Sequence, residues 1–117
     1  MKYRTTAKAI RNEYGKNLII SLGYCEAQNL LSYLEPSAYT AGVYGWNFDI
    51  YEVHGVAICT GYRGMPAGLP YDRERLRALE LEAKKIRADY RKPYKEAKEE
   101  VEKLLSQFID ETREANR

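Results

Sequence analysis

The chain has 117 residues, enough for one domain or for one small domain with an appendage. Its net charge of +2 is neither that of a strong binder of phosphate backbones nor that of an acidic nucleic-acid mimic. The charges are uneven, because residues 72–117 carry 13 Lys/Arg and 12 Asp/Glu whereas residues 1–71 carry 6 and 5. Only the first part has the composition of a conventional core. We predict a small α+β domain at 1–70 and a charged helical appendage at 71–117.

The cysteines and the single histidine do not form a recognisable metal motif. Cys25 and Cys59 lack CxxC spacing, and His54 stands alone in the sequence. We interpret the cysteines as two small buried thiols in a reducing compartment, with one disulfide as the alternative. Leu18–Leu22 is too short a run for a signal peptide or a spanning helix. The sequence thus predicts a cytoplasmic protein with no cofactor, no metal and no membrane segment.

Three short elements are predicted in the first part of the chain. A short amphipathic helix is expected between Thr6 and Gly15, where apolar residues recur at intervals of three and four. The Leu/Ile-rich run Asn17–Leu22 predicts a strand. A second helix over about Cys25–Leu34 follows from apolar residues at i, i+3, i+4 and i+7, and Pro36 ends it.

A β-hairpin is predicted around His54-Gly55. Residues 46–53 alternate in polarity, and residues 56–62 are small or β-branched. Glycine readily adopts the positive φ of a tight turn, and histidine is among the residues that tolerate it. With the first strand, the hairpin predicts a small antiparallel sheet of about three strands. The predicted register pairs Val53 with Val56, Tyr51 with Ile58, Asp49 with Thr60 and Asn47 with Tyr62 on one face, and Glu52 with Ala57, Ile50 with Cys59, Phe48 with Gly61 and Trp46 with Arg63 on the other.

The two faces of the predicted hairpin differ in chemistry. The apolar face, with Trp46, Phe48 and Ile50, is assigned to the core. The other face carries a polar cluster far from the turn, whose cross-strand neighbours would lie about 4.5–5.5 Å apart. Carboxylate and amide oxygens, hydroxyl groups and a guanidinium make it a candidate recognition site, and an ordinary solvated sheet face is the alternative. The cluster comprises Asn47, Asp49, Thr60 and Tyr62, with Arg63 beside it.

Two further tyrosines, Tyr39 and Tyr44, extend this candidate surface. Tyrosine is enriched at interface hot spots and stacks on bases, although both rings could instead close a small core.

The glycine-rich loop Gly61–Gly68 matches no phosphate-loop pattern and is either an anion-binding loop or a link into the helices. No nucleophile–base pair or pair of carboxylates indicates catalysis. The predicted binding residues are Tyr39, Tyr44, Asn47, Asp49, Thr60, Tyr62 and Arg63, with no catalytic or metal-binding residue.

Residues 71–117 have a helical period that shifts by one at Pro93. Because proline removes a helix hydrogen bond, the chain either reverses there into a helical hairpin or forms one long kinked helix. An apolar seam needs a partner, which favours the hairpin, whereas a continuous helix would pair with a second copy of the chain. The first helix is locally basic and could contact a phosphate backbone weakly. The predicted seam is Leu76, Leu79, Ala83, Ile86 and Tyr90, then Tyr94, Ala97, Val101, Leu104 and Phe108.

Three stretches resemble a group of small proteins carried on mobile elements and phages of gut Firmicutes. They are GYCEAQNLL at Gly23–Leu31, YTAGVYGWNFDIY at Tyr39–Tyr51 and TGYRGMPAG at Thr60–Gly68. The corresponding family pattern is GYC.LQ.LL, YT.GVYGWN.DIY and TGYRPFG. The resemblance covers about residues 5–68, departs after Arg63 and excludes the helical tail. The resemblance implies no particular activity. The genomic setting of these proteins, on mobile elements and phages, implies an accessory role such as countering host defence, anti-CRISPR activity included.

These observations predict a non-enzymatic binding module that acts by occupying a partner protein. The aromatic and polar edge of the hairpin and the lack of a catalytic motif lead to this expectation. A nucleotide or nucleic-acid binding module, using aromatic stacking and Arg63, is the alternative.

Overall fold

The computed structural model describes residues 7–41, 47–61 and 65–117 and confirms the α+β class. The chain forms two compact units. The sheet unit comprises the chain up to Cys25 together with Glu35–Tyr71, and the helical unit comprises Glu26–Leu34 together with Asp72–Arg117. The elements in chain order are α1 (Ala7–Tyr14), a 3-10 turn (Lys16–Leu18), β1 (Ile19–Gly23), α2 (Gln28–Leu31), β2 (Ala38–Ala41), β3 (Asn47–Val53), β4 (Val56–Gly61), α3 (Arg73–Ala88) and α4 (Tyr94–Ala115).

The predicted hairpin and its register are confirmed. His54 and Gly55 have φ values of 52° and 76°, the positive sign that a two-residue type I′ turn requires at both positions. Strands β3 and β4 pair as expected from Val53–Val56 to Phe48–Gly61. The two predicted pairs beyond this, Asn47 with Tyr62 and Trp46 with Arg63, extend outside the described residues.

The sheet differs from the expected one in size and direction. Its order is β1-β4-β3-β2, so it has four strands, and β1 pairs with β4 in parallel. The expectation of an antiparallel sheet of about three strands was therefore wrong in these two details. A parallel neighbour needs a long crossover, which the chain between β1 and β4 provides. Strand β1 begins at Ile19 and not at the predicted Asn17, because Lys16–Leu18 forms the 3-10 turn. Helix α2 is a single turn over Gln28–Leu31, shorter than the predicted helix over about Cys25–Leu34.

One face of the sheet forms a compact core with α1. Phe48 and Ile50, predicted as core, are 2% and 0% exposed. Cys59 lies in the same cluster, and its burial raises the pKa of the thiol to about 12. Cys25 is exposed, so the expectation of two buried thiols was wrong, and neither cysteine forms a disulfide. The buried members of the cluster are Ile10, Ile19, Ala38, Phe48, Ile50, Ala57 and Cys59.

The outer edge of β1 is covered by the segment that leads out of the sheet unit. The Leu69 N–H donates to the Ile19 carbonyl at 2.8 Å, and the Ser21 hydroxyl donates to the Pro66 carbonyl at 2.5 Å. At Gly68, a Cβ atom would lie 2.3 Å from the Ile19 carbonyl oxygen. Glycine is therefore required for this close approach of two backbones. The covered edge of β1 is protected from pairing with another chain.

The C-terminal helices form the hairpin, not one kinked helix. Helix α3 ends at Ala88 and α4 begins at Tyr94, with Pro93 at its N-cap. The two helices pack together, and Arg75 near the start of α3 bonds Glu111 near the end of α4 at 2.9 and 3.1 Å. The observed α4 seam is Ala97, Val101, Leu105, Phe108, Ile109 and Thr112, so it moves to Leu105 where Leu104 was predicted.

Helix α2 receives its cap from α3. Its N-cap residue, Ala27, has no side-chain cap, which leaves the first N–H groups of the turn without a local acceptor. The Glu80 carboxylate accepts from the Asn29 N–H and side-chain amide, both at 2.8 Å, and from the Leu30 N–H at 3.3 Å. The Arg87 guanidinium then donates to the Asn29 side-chain oxygen at 2.7 Å. This network ties the single turn of α2 to α3.

Candidate binding surface on strands β2 and β3

A single row of cross-strand neighbours runs from a buried aliphatic residue to an exposed aromatic one. Leu22, Thr60, Asp49 and Tyr39 occupy consecutive register positions on β1, β4, β3 and β2. Leu22 is 1% exposed and Thr60 8%, Asp49 is half-buried, and Tyr39 is 58% exposed. Directly opposed residues share one face of a sheet, so the Tyr39 ring lies beside the Asp49 carboxylate at the β2 edge.

Tyr51 adds a second ring to this face. It is two residues from Asp49 on β3, so both side chains point to the same side of the sheet. Burial raises the pKa of the Tyr51 hydroxyl, and the charges of Asp49, Glu35 and Tyr24 raise it further, in that order. These groups are thus within electrostatic range of one another. We call this set the tyrosine face: Tyr24, Glu35, Tyr39, Asp49 and Tyr51.

The tyrosine face is built from a stretch of the sequence that carries acidic residues but no Lys or Arg. Burial raises the pKa of the Asp49 carboxyl, because a half-buried carboxylate loses hydration. Residues 17–62, which include all of its members, contain four Asp/Glu and no Lys or Arg. This stretch of the sequence therefore provides carboxylates and tyrosine rings and contributes no Lys or Arg of its own. Such a surface suits a positively charged group, which can pair with carboxylates and lie over aromatic faces.

The structure brings some of the predicted binding residues together and leaves others outside the described residues. Tyr39, Asp49 and Thr60 lie side by side in one row, although little of the Thr60 side chain is accessible. Asn47 is the first residue of β3 and pairs with Ala41 through the backbone. Tyr44, Tyr62 and Arg63 lie outside the described residues, as does Trp46.

Sequence reasoning missed the contribution of Tyr51, Tyr24 and Glu35 to this surface. The alternation that placed Asp49 on the polar face also places Tyr51 there, so that residue could have been found. Tyr24 and Glu35 lie on segments outside the predicted hairpin, and only the folded chain brings them near β3. Long-range placement of this kind leaves no signal in local spacing.

Within the described residues, two kinds of feature are absent, a cluster of metal ligands and a membrane-spanning helix. No group of three or more His, Cys, Asp or Glu side chains in residues 7–41, 47–61 and 65–117 is arranged to hold a metal ion. In the same part of the chain, no helix combines the length and apolar character needed to cross a membrane.

Comparisons with models of known protein families, with curated proteins and with solved structures find no match to the chain. The resemblance to proteins of mobile elements therefore stays a prediction from the sequence.

Proposed function

We propose that the protein is a binding module that occupies a partner protein through the tyrosine face. The observation that carries this proposal is the exposed Tyr39 ring beside the half-buried Asp49 carboxylate at the β2 edge. Large aromatic side chains are costly to leave in water and are enriched among the residues that dominate protein interfaces. Tyr39 is also the exposed member of a strand whose neighbours Ala38 and Thr40 are buried.

The charge of this surface indicates the chemistry of the partner. Lysine or arginine side chains on the partner complement Asp49 and Glu35 and lie over the neighbouring tyrosine rings. A phosphate backbone is disfavoured here, because residues 17–62 carry acidic groups without Lys or Arg. We therefore expect a basic protein surface to bind at the tyrosine face.

The resemblance over residues 5–68 supports a more specific role. An accessory protein of a mobile element that acts by occupying a host defence protein, a CRISPR effector included, would need no chemistry of its own. Binding at the tyrosine face would then block a basic surface of the target, such as one that contacts nucleic acid.

The test is affinity capture from a bacterial host lysate with the tagged full-length protein. Wild type is compared with Asp49→Lys and Tyr39→Ala by quantitative mass spectrometry, after circular dichroism shows that both variants are folded. We expect a protein captured by wild type to fall at least about tenfold with Asp49→Lys, because charge reversal places like charges together. Tyr39→Ala should reduce the same protein.

Asp110→Lys is the matched control. It makes the same change in charge at an exposed position on α4, in the helical unit. It should retain the captured protein at the wild-type level. Equal loss with Asp49→Lys and Asp110→Lys, or equal retention with both, would reject the tyrosine face as the binding surface.

A further inference from the structure

The tip of the helical hairpin carries a second aromatic cluster, interleaved with arginines. The rings of Tyr33 and Tyr94 meet edge to face, with centroids 5.3 Å apart and an interplanar angle of 78°. The Arg87 guanidinium carbon lies 5.8 Å from the centroid of the Tyr33 ring, and that of Arg91 lies 6.0 Å from the Tyr90 ring. The tip thus contains three tyrosine rings and two guanidinium groups near ring faces.

Two of these rings are exposed. Tyr90 is 91% and Tyr94 67% exposed, although both occupy positions that the helical period assigned to the apolar seam. The chain turns at residues 89–93, and this turn takes Tyr90 out of the seam. Packing between α3 and α4 therefore does not account for a tyrosine at position 90.

Charge is strongly segregated along the hairpin. Residues 84–98, at the tip, carry seven Lys/Arg and two Asp/Glu, a net charge of +5. The remaining parts of the helices, residues 72–83 and 99–117, carry six Lys/Arg and ten Asp/Glu, a net charge of −4. At the tip, the Lys92 ammonium bonds the Glu100 carboxylate at 2.5 Å, and Arg91 lies 3.8 Å from Asp89. The other five Lys/Arg of residues 84–98 belong to neither of these two ion pairs.

We propose that the tip of the α3–α4 hairpin binds single-stranded nucleic acid. The exposed tyrosine faces offer stacking platforms for unpaired bases, and the surrounding lysines and arginines contact the phosphates. The alternative occupant, an acidic protein surface, would use the cations but gives no role to a 91% exposed ring. A duplex hides its base faces, so the stacking arrangement favours single strands.

Binding at the tip should be weak and salt-dependent. The whole chain has a net charge of only +2, and the acidic end of the same hairpin opposes a polyanion. For single strands the logarithm of the association constant falls with the logarithm of salt concentration by about 0.7 per phosphate neutralised. Contacts from three or four cations therefore predict a slope of about −2 to −3.

The test is fluorescence anisotropy of a labelled 15-nucleotide oligo-dT titrated with the full-length protein at 25, 50 and 100 mM NaCl. Wild type should bind with the predicted slope, and a duplex of equal length should bind more weakly. Tyr90→Ala should weaken binding about tenfold, as expected for the loss of one stacking platform. Tyr90→Phe, which keeps the ring, should bind like wild type.

Charge variants separate the tip from general electrostatic attraction. Lys84→Gln/Lys95→Gln removes two charges within residues 84–98, and Arg77→Gln/Lys103→Gln removes two exposed charges outside that segment. The first pair should weaken binding at 50 mM NaCl at least about fivefold more than the second. Equal effects of the two pairs would overturn the assignment to the tip.

Three further results would overturn the proposal. The first is no binding of oligo-dT at 25 mM NaCl. The second is equal binding by wild type and Tyr90→Ala. The third is equal affinity for oligo-dT and for heparin or polyglutamate, which would indicate a site for polyanions or acidic proteins without base stacking.

Discussion

Exposed tyrosines occur in both units of this molecule, in opposite electrostatic surroundings. Tyr39 lies beside Asp49 in a stretch of 46 residues without Lys or Arg. Tyr90 lies under Arg91 in a segment with a net charge of +5. The ring is the same in both places, so in the two proposals the surrounding charge distinguishes the expected ligands. Carboxylates select a basic protein surface, whereas arginines and lysines select a phosphate backbone.

The two units also differ in what specifies their structure. The sheet unit depends on positions where the backbone leaves little choice, such as the close approach at Gly68 and the turn at His54-Gly55. The helical unit depends on side chains, such as the Glu80 carboxylate that caps α2 and the buried seam of α3 and α4. Substitutions that remove these features one at a time should show whether this distinction holds.

Gly68→Ala should have the largest effect. Its Cβ would lie 2.3 Å from the Ile19 carbonyl oxygen and 2.8 Å from the carbonyl carbon, so the segment must move and the Leu69–Ile19 hydrogen bond is strained. We expect a loss of about 3 kcal/mol in the free energy of unfolding, measured by urea denaturation. The exposed neighbouring substitution Ala67→Ser should cost less than about 0.5 kcal/mol. A similar small cost for Gly68→Ala would contradict the close approach.

Glu80→Ala should have the next largest effect. It leaves the N–H groups of Asn29 and Leu30 without their charged acceptor, in a helix whose own N-cap provides none. We expect a loss of about 1–3 kcal/mol by urea denaturation. Glu82→Ala, an exposed change two residues along the same helix, is the control and should cost under about 0.5 kcal/mol. Equal costs for the two variants would show that Glu80 is not a cap.

Gly55→Ala should destabilise the hairpin more moderately. A non-glycine residue at φ 76° is strained by about 1–2 kcal/mol, although nothing lies within 4 Å of the added Cβ. His54→Asn should cost less than Gly55→Ala, since asparagine tolerates the same positive φ. Thermal denaturation gives the Tm of each variant, and Gly55→Ala should have the lower Tm of the two. A neutral Gly55→Ala together with a costly His54→Asn would contradict the type I′ turn.

Asp49→Asn should have the smallest effect, and that effect should depend on pH. Because burial raises the pKa of this carboxyl, the folded chain binds the proton more readily than the unfolded chain does. The ionised form therefore costs stability at neutral pH, and this cost disappears as pH falls below the ordinary pKa of 3.8.

Scanning calorimetry should show a rise in Tm of less than about 2 °C for Asp49→Asn at pH 7 and no difference at pH 3. Asp110→Asn, at an exposed position, should have the Tm of the wild type at both pH values. A lower Tm for Asp49→Asn at pH 7 would mean that the carboxylate makes a net favourable contact in the fold.

The hairpin could be predicted from the sequence because its determinants are local. His54-Gly55 fixed the turn, and the two-residue period fixed which side chains share a face. That reasoning correctly placed Phe48 and Ile50 in the core and Asp49 opposite Thr60.

Strand β2 was missed because its pattern is inverted. The residues it buries are the small Ala38 and Thr40, while the large Tyr39 is exposed, so apolar alternation gives no strand signal. The parallel direction of β1 was also missed, because pairing direction depends on the path of the intervening chain. In the helical unit, Pro93 marked the break, but only the folded structure, in which α3 packs against α4 and Arg75 contacts Glu111, shows that the chain reverses.

Photo-cross-linking tests the central claim most directly. A photoreactive phenylalanine analogue replaces Tyr39 in one full-length variant and Tyr90 in another, and each is irradiated in host lysate with and without excess oligo-dT. We predict a discrete protein adduct from position 39 that oligo-dT leaves unchanged and that is lost with Asp49→Lys. No adduct at position 39, or the same adduct from both positions, would contradict a binding surface on β2 and β3.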